Sequence, residues 1–351
     1  MVKSGTLGQV RARVFDPAKD RPERAFGGIV AADVPGRDGH VALRKGTRLG
    51  EAHRSALAAI AAREGVHLVD LDQGELEQDE VAWRLAIAVA GPGARAEAPS
   101  SGQARVRATT RGLLRVRADA VDAVNRLHPL LLFTAGDGTV VDAGDDVAGA
   151  KSAALATAED LVAEAERIAA SSGVLRVDRF VRERVAVVVT DRLEAPSRAL
   201  VRTAIQRKIE WFGSEMVSFA EVAHEGSAIA AGLREARAEA DLILVSGASS
   251  LDPLDPVFAA LAATGGAVER TGVPAHPGSM AWVGTLAGAA ALGIATCAGF
   301  GKDTALDLLL PRVFAGDAPA AAADALGSRG LAEGSSPGSP FPPYEHRSAE
   351  T

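Results

Sequence analysis

The sequence is poor in the residues that mark several common classes of protein. It holds a single cysteine, Cys297, so no disulfide can form within the chain, as is typical of proteins from a reducing compartment. Aromatic residues make up 4% of the chain, so its cores must be mainly aliphatic. No apolar run approaches the ~20 residues of a membrane-spanning helix, and the N-terminal residues lack the apolar stretch of a signal peptide. We therefore expect a cytoplasmic protein without a membrane span.

The charge balance gives no sign of a nucleic-acid partner. The formal net charge is −7, so no overall positive field would attract a phosphate backbone. The one basic stretch, residues 105–117, alternates arginines with apolar residues and contains no aromatic ring on which a base could stack. We interpret this stretch as the solvated face of strands rather than as a nucleic-acid patch.

Composition divides the chain into four segments. Residues 1–24 are charged and show no periodicity, which predicts a loose arm. Residues 25–175 combine helical patterns with short strands and Gly/Asp turns, which predicts a smaller α+β or β-rich region. Residues 180–315 carry the strongest secondary-structure signals and form the main predicted domain. Residues 316–351 contain an alanine run and SSPGSPFPP, which predicts a disordered tail.

The region 25–175 contains clear helical patterns but no recognisable chemical constellation. We expect helices at 51–64 and 76–91, and a Gly/Pro/Ser-rich linker at 91–102. The apolar positions of the second helix are Val81, Leu85, Ile87 and Val89.

The region 180–315 predicts an α/β domain. Continuous β-branched or apolar runs are typical of strands buried on both faces. The predicted strands are 185–190, 215–222, 241–246, 267–273, 280–286 and 290–296. The first predicted helix begins at Pro196, and three further helices are predicted at 229–238, 255–264 and about 302–314. This alternation indicates βαβ crossovers and a mostly parallel sheet with helices on both faces.

Ligands of an open parallel sheet bind beyond the carboxyl ends of its strands. Four site segments fall there, numbered in chain order: 190–192, 246–255, 277–279 and 297–304. The candidate residues in these segments are Thr190, Asp191, Ser246, Gly247, Ala248, Ser249, Ser250, Asp252, Asp255, Pro277, Gly278, Gly299, Gly301, Lys302 and Thr304. The loops at 246–250 and 299–304 have the composition of anion cradles, because small residues allow close backbone approach and helix N-termini favour phosphate. Lys302 would add a positive charge and Thr304 a hydroxyl group. The alternative is that these glycines and serines merely form turns.

The acidic and other reactive residues of this region also allow two interpretations. Asp252 and Asp255 flank Pro253 at a helix start. Either one of them is simply an N-cap carboxylate, or they accept hydrogen bonds from a ligand such as an aminopterin ring or hold a cation. His224 and His276 lack the spacing of metal ligands, and we interpret both as polar loop residues, with no metal site predicted. Cys297 is more typical of a small buried residue than of a reactive thiol. The sequence contains no Walker A, GxSxG or strand-following GxGxxG motif.

The run from DLILVSGASS to LLLPRV, residues 241–313, resembles the molybdopterin-binding domain shared by molybdopterin molybdotransferases and molybdopterin adenylyltransferases. That family has a Ser-Gly-Gly loop, a nearby acidic motif, a Lys-Pro-Gly segment before a hairpin and a Gly-rich loop before the last helix. The matching residues here are Ser246-Gly247-Ala248, Asp252 with Asp255, His276-Pro277-Gly278 and Gly299-Phe300-Gly301-Lys302. VVVTDRLEAPSR resembles the first strand and loop of the family. The similarity covers residues 180–315 in order and spacing.

A divergent bacterial branch of that family is more similar still. Like this chain, it has SGAS in place of SGG, a cysteine in the final loop, and an N-terminal region with LRKGT (43–47) and a QDEVAWRLA-like helix (78–86). The chain departs from the wider family at Ala248, where a glycine is usual, and at His276, where the molybdotransferases have lysine. Residues 297–303 also replace a Gly-Asn-Pro loop. These departures bear on catalysis more than on binding.

The resemblance implies a molybdenum-cofactor biosynthesis protein that binds molybdopterin or its adenylylated form. Ser246, Ser249 and Ser250 would then bind the ligand through hydrogen bonds, and Lys302 would pair with its phosphate. The catalytic residues of a molybdotransferase-like enzyme would be Asp252 and Asp255, handling molybdate. The resemblance allows Mg²⁺ as a further ligand and implies a homo-oligomer. Two alternatives remain open: a non-catalytic carrier or sensor of molybdopterin, and an unrelated α/β scaffold for protein partners.

Overall fold

The computed structural model describes residues 11–60, 65–191, 193–248, 250–294 and 303–327, together with Gly330, Pro342 and Tyr344. The chain divides into two units, Met1–Asp178 and Arg179–Thr351. None of the helices in the described ranges is both long and apolar enough to span a bilayer.

The first unit combines short antiparallel sheets with four α-helices in its described part. Its strands are β1 (Arg11–Phe15), β2 (Ile29–Val30), β3 (Val34–Pro35), β4 (Val41–Leu43), β5 (Val66–Asp70), β6 (Glu75–Glu77), β7 (Ala94–Ala96), β8 (Gln103–Ala108), β9 (Gly112–Val116), β10 (Leu130–Thr134), β11 (Val140–Val141), β12 (Asp146–Ser152), β13 (Ala156–Ala158) and β14 (Leu175–Arg179). Its helices are α1 (Arg54–Ala59), α2 (Gln78–Val89), α3 (Ala118–Asn125) and α4 (Glu159–Ser172), with short 3-10 helices at Pro22–Ala25 and Glu51–His53.

The N-terminal segment is not a loose arm over its described residues. β1 pairs antiparallel with β5, and Arg13 forms an ion pair with Asp70 on that strand at 2.7 Å. Phe15 closes the strand and is 2% exposed. The expectation of an unstructured arm is wrong for residues 11–24, because one buried aromatic side chain and one strand pairing fix a segment too short to show periodicity.

Helix α2 lies at the centre of the larger core of the first unit and packs against β8, β12 and α4. Val81, Leu85 and Val89 recur every four residues and are fully buried. Ile87 lies on the opposite side of the helix and is 50% exposed, so its predicted place in the core is wrong.

The predicted linker at 91–102 is also partly structured. β7 (Ala94–Ala96) forms an edge strand on β8, in the sheet with order β10-β12-β8-β7. Arg105 and Arg107 on β8 both pair with the exposed carboxylate of Asp146 on β12. This confirms that the basic stretch includes a solvated strand face.

The second unit contains the α/β domain. Its strands are β15 (Arg184–Val189), β16 (Glu215–Glu221), β17 (Leu242–Ser246), β18 (Gly266–Thr271), β19 (Trp282–Leu286) and β20 (Ala289–Ile294). Its helices are α5 (Ala195–Trp211), α6 (Gly226–Glu239), α7 (Pro256–Ala263), α8 (Ala305–Phe314) and α9 (Pro319–Asp324). The described strands form one sheet with order β16-β15-β17-β20-β19-β18. The first four strands run parallel, and β19 pairs antiparallel with both of its neighbours, β20 and β18.

The central strands are apolar throughout because helices cover both faces of this sheet. Ala186 and Val188 of β15 share a core cluster with α6 and α7. The alternating residues Val185, Val187 and Val189 point to the other face and are equally buried. The expected α/β class with helices on both faces is confirmed, and the parallel pairing is confined to β16, β15, β17 and β20.

The C-terminal segment contains structure that composition did not predict. Helix α9 packs against β18 and β19, with Ala322 and Ala323 fully buried. The expectation of disorder from 316 on is therefore wrong for this helix. Alanine is the strongest helix former, and its small side chain allows a short helix to lie close to a sheet.

Candidate functional site

The carboxyl ends of β15 and β17 lie side by side, since Val189 is in register with Ser246. The backbone N–H and the hydroxyl of Thr190 both donate to the carbonyl oxygen of Ser246, at 3.0 and 3.1 Å. The Ser246 hydroxyl in turn donates to Asp191 Oδ2 at 3.0 Å. The structure thus brings together three of the residues expected at this edge and joins them by direct hydrogen bonds.

Gly247 allows this close approach of the two loops. Its φ is +96°, a conformation that disfavours residues with a Cβ. A Cβ at this position would also overlap Thr190 Oγ1 and lie 2.9 Å from Asp191 N. The position therefore requires glycine for two independent reasons, whereas its neighbour Ala248 is buried at 8% exposure.

His224 belongs to the same site, although its sequence context indicated only a polar loop residue. Its Nδ1 lies 3.0 Å from Thr190 Oγ1 and its Nε2 lies 3.8 Å from Asp255 Oδ1. Because the Thr190 hydroxyl already donates to Ser246, it must accept from Nδ1–H, which leaves Nε2 facing Asp255. No motif or spacing in the sequence marks His224, since its contacts come from the end of β15 and from the N-cap of α7.

The two aspartates have different environments. Asp255 is 7% exposed, and its Oδ1 accepts the backbone N–H of Val257 at 2.9 Å as the N-cap of α7. The capping interpretation is therefore confirmed for Asp255, while its Oδ2 has no hydrogen-bond partner among the described residues. Asp252 is exposed, and its Oδ1 accepts the N–H of Leu254 at 2.9 Å. The more buried carboxylate is thus the better placed of the two to bind a ligand.

The third and fourth site segments, which contain Pro277 and Thr304, are joined to each other by hydrogen bonds. The carbonyl of Pro277 accepts the N–H of Ala305 at 2.8 Å, where α8 begins. Gly278 has φ +101°, and a Cβ there would lie 3.0 Å from Ala305 N. The N–H of Ser250 donates to the carbonyl of Met280 at 3.3 Å, which joins this group to the second segment.

Thr304 has a different role from the one expected. It is 1% exposed, and its N–H and hydroxyl both point at Asp307 Oδ2, at 2.7 and 3.3 Å, in a capping box. Its hydroxyl is therefore engaged by the helix that it caps. Several other expected residues lie outside the described residues: Ser249, Cys297, Gly299, Gly301 and Lys302.

The described part of the chain contains no group of three or more His, Cys, Asp or Glu side chains that could hold a metal ion. The described part of the site is instead made of hydroxyls, backbone groups, the imidazole of His224 and the carboxylates of Asp191 and Asp255. Such a set of donors and acceptors suits a polar organic ligand with N–H groups.

No family model and no curated protein sequence matches the chain. Among solved structures, it is similar to the molybdopterin biosynthesis MoeA protein of Pyrococcus horikosii, at 14% identity and TM-score 0.26, over 63% of this chain and 74% of that one. It is also similar to the molybdopterin biosynthesis enzyme MoaB of Thermus thermophilus, at 17% identity and TM-score 0.28, over 39% and 98%. The molybdopterin biosynthesis Mog protein of Mycobacterium ulcerans matches at 16% identity and TM-score 0.28, over 38% and 95%. At such identities and TM-scores, these similarities assign no function to this chain.

Proposed function

We propose that this protein acts in molybdenum-cofactor biosynthesis and binds molybdopterin or its adenylylated form at the carboxyl edge of the second unit. The observation that carries the proposal is the carboxylate of Asp255. It is nearly buried and fixed in direction by the cap of α7, and its Oδ2 has no described partner. The 2-amino group and ring N–H of a pterin form a donor pair that a carboxylate recognises well. The resemblance of residues 180–315 to the molybdopterin-binding domain supports the same ligand.

The surrounding residues are assigned to the remaining parts of the ligand. Gly247 allows the backbone to approach it closely, and the hydroxyls of Ser246 and Ser250 serve as hydrogen-bond groups. Lys302 is the proposed partner of the phosphate, in the Gly-rich loop that also holds Gly299 and Gly301.

The other expected site residues serve mainly as a framework. Thr190 and Asp191 fix the first loop, and Pro277 and Gly278 fix the start of α8. Ala248 is buried next to Gly247, and Ser249 is proposed, with Ser246 and Ser250, to bind the ligand through a hydrogen bond. Molybdate and Mg²⁺ are the further ligands proposed for this edge, next to Asp252 and Asp255, and the assembly is proposed to be a homo-oligomer.

The proposed function takes one of two forms. The protein is either an enzyme with a molybdotransferase-like activity or a carrier or sensor that binds molybdopterin without turnover. His276 favours the carrier or sensor, because the molybdotransferases that the chain resembles have a lysine at this position. In this structure the His276 N–H is engaged by the carbonyl of Gly330 at 2.7 Å.

The proposal is tested by equilibrium binding of molybdopterin and of its adenylylated form to the full chain. The variants are Asp255→Asn and Ser246→Ala, and the control is Asp38→Asn, which changes an exposed aspartate of the first unit. We expect tight binding by the wild type and the control and weakened binding by both site variants. No binding by the wild type at micromolar concentrations would contradict the proposal. Adding molybdate to the loaded protein then separates an enzyme from a carrier.

A further inference from the structure

Tyr344 is the only tyrosine in the chain and lies in the segment whose composition predicted a disordered tail. Its ring packs edge-on against Trp211, with 5.4 Å between centroids, and its hydroxyl donates to Asp307 Oδ1 at 2.8 Å. Burial raises the pKa of Tyr344 well above its usual value, so the hydroxyl remains a proton donor. The side chain is therefore a built-in part of the second unit.

Asp307 receives hydrogen bonds from three parts of the second unit. It is completely buried, and its Oδ2 accepts from Lys208 Nζ on α5 and from the N–H of Thr304, each at 2.7 Å. Its Oδ1 accepts from Tyr344. A buried ion pair is tolerated only when its remaining hydrogen-bonding positions are filled. Loss of the tyrosine hydroxyl would leave Oδ1 without this partner and loosen the network that holds Thr304.

The C-terminal segment also reaches the third segment of the candidate site. The carbonyl of Gly330 accepts the N–H of His276 at 2.7 Å, directly before Pro277. A Cβ at Gly330 would lie 2.9 Å from Ala275 Cα, so the two backbones are in close contact. Pro277 in turn accepts the N–H of Ala305, the residue after Thr304.

We infer that Tyr344 is a positioning residue of the candidate site. Gly330 and Tyr344 fasten the C-terminal segment at two points, one beside Pro277 and one beside the start of α8, and we call this pair of contacts the strap. The strap holds the third and fourth site segments at fixed positions relative to each other and does not itself contact the ligand. Docking of the strap and binding of a ligand at those segments are therefore coupled, and each strengthens the other. Only this coupling rests on the proposed function, since the fastening is a property of the protein alone.

The fastening is tested by amide hydrogen exchange on the full chain without ligand. Tyr344→Phe keeps the ring and removes only the donor to Asp307. We expect the amides of Thr304 and Ala305 to exchange at least about tenfold faster than in the wild type, because a hydrogen bond to a charged group is lost. The matched control is Thr139→Val, which removes one exposed hydroxyl hydrogen bond in the first unit and should leave both amides unchanged.

A chain ending at residue 341 is the second variant, in case Tyr344→Phe does not fold. Water can then reach Asp307, and we expect the same acceleration at Thr304 and Ala305. Unchanged exchange at these amides in the folded variants would overturn the inference, whatever the protein binds.

The coupling is tested by the affinity for molybdopterin. We expect Tyr344→Phe to bind it about tenfold more weakly than the wild type, with Thr139→Val unchanged. Equal affinities of the wild type and Tyr344→Phe would overturn the coupling. Faster exchange in Tyr344→Phe with no binding by the wild type would instead support the strap and reject the proposed function.

Discussion

Ser246 donates its hydroxyl hydrogen to the carboxylate of Asp191 across 3.0 Å, although 55 positions separate them in the chain. This bond joins the ends of two adjacent parallel strands at the edge where a ligand of such a sheet binds. It fixes the direction of both side chains before a ligand arrives. A site that is held in place in this way loses little binding energy to the ordering of its own groups.

Asp255 has a structural role in the cap and a proposed role in ligand binding, and two substitutions separate them. Asparagine caps helices as well as aspartate does, so Asp255→Asn should change the stability of the second unit by less than about 0.5 kcal/mol. Asp255→Ala should cost about 1 kcal/mol, because the N–H of Val257 loses its acceptor. Both variants should bind molybdopterin about ten- to a hundredfold more weakly, since a hydrogen bond to a charged group is lost. Thermal unfolding and equilibrium binding measure the two effects. If Asp255→Asn binds molybdopterin with wild-type affinity, Asp255 serves only as the N-cap of α7 and does not bind the ligand.

Gly247→Ala should destabilise the second unit by about 3 kcal/mol or more. The substitution places a Cβ at a φ of +96° and against Thr190 Oγ1. Gly265→Ala is the matched control, because Gly265 has a similar φ of +82° with nothing within 4 Å of the added Cβ. It should cost about 1–2 kcal/mol, from the backbone conformation alone. Equal losses for the two variants in thermal unfolding would mean that the contact with Thr190 is unimportant.

His224→Ala should weaken binding of the proposed ligand by between about two- and tenfold. The change removes the hydrogen bond to Thr190 and the neighbour of Asp255, and a net hydrogen bond contributes on the order of 1 kcal/mol. His40→Ala, at an exposed position of the first unit, is the control and should bind like the wild type. If His224→Ala binds the ligand as tightly as the wild type, His224 is only a polar loop residue without a role in binding.

Tyr344 contributes a pH dependence to the stability of the second unit at alkaline pH. Burial and the neighbouring Asp307 carboxylate raise its pKa in the folded protein above the unfolded value near 10. The stability it contributes is therefore fully present below pH ~10 and is lost as the pH rises through the folded pKa. Because this is the only tyrosine, the absorbance of tyrosinate reports on it alone. We expect ionisation only above pH ~10, together with unfolding or release of the C-terminal segment. Ordinary titration near pH ~10 in a folded protein would contradict this environment.

The strands of the second unit could be predicted because they are continuous apolar runs. The segments 185–190 and 241–246 needed only their composition to be recognised as β15 and β17. The position of the candidate site was predicted from the rule that ligands bind at the carboxyl edge of parallel strands. Asp191 lies beside Ser246 because β15 and β17 pair with Val189 opposite Ser246.

The features that sequence did not predict depend on contacts between distant residues. His224 joins the site only through Thr190 and Asp255, and no local pattern records such contacts. The C-terminal segment has the composition of a disordered tail, yet buried alanines hold α9 on the sheet and the ring of Tyr344 packs against Trp211. Composition averages over a segment, whereas a single well-placed side chain such as Tyr344 can fix it.

The most direct test of the central claim is amide hydrogen exchange of the wild-type protein with and without molybdopterin. The ligand should slow exchange at the ends of β15 and β17, through residues 190–191 and 246–257, and at the segments around Pro277 and Thr304. The strands of the first unit should be unaffected and serve as the internal reference. Protection confined to the first unit, or no protection at a saturating concentration of ligand, would contradict a molybdopterin site at the carboxyl edge of this sheet.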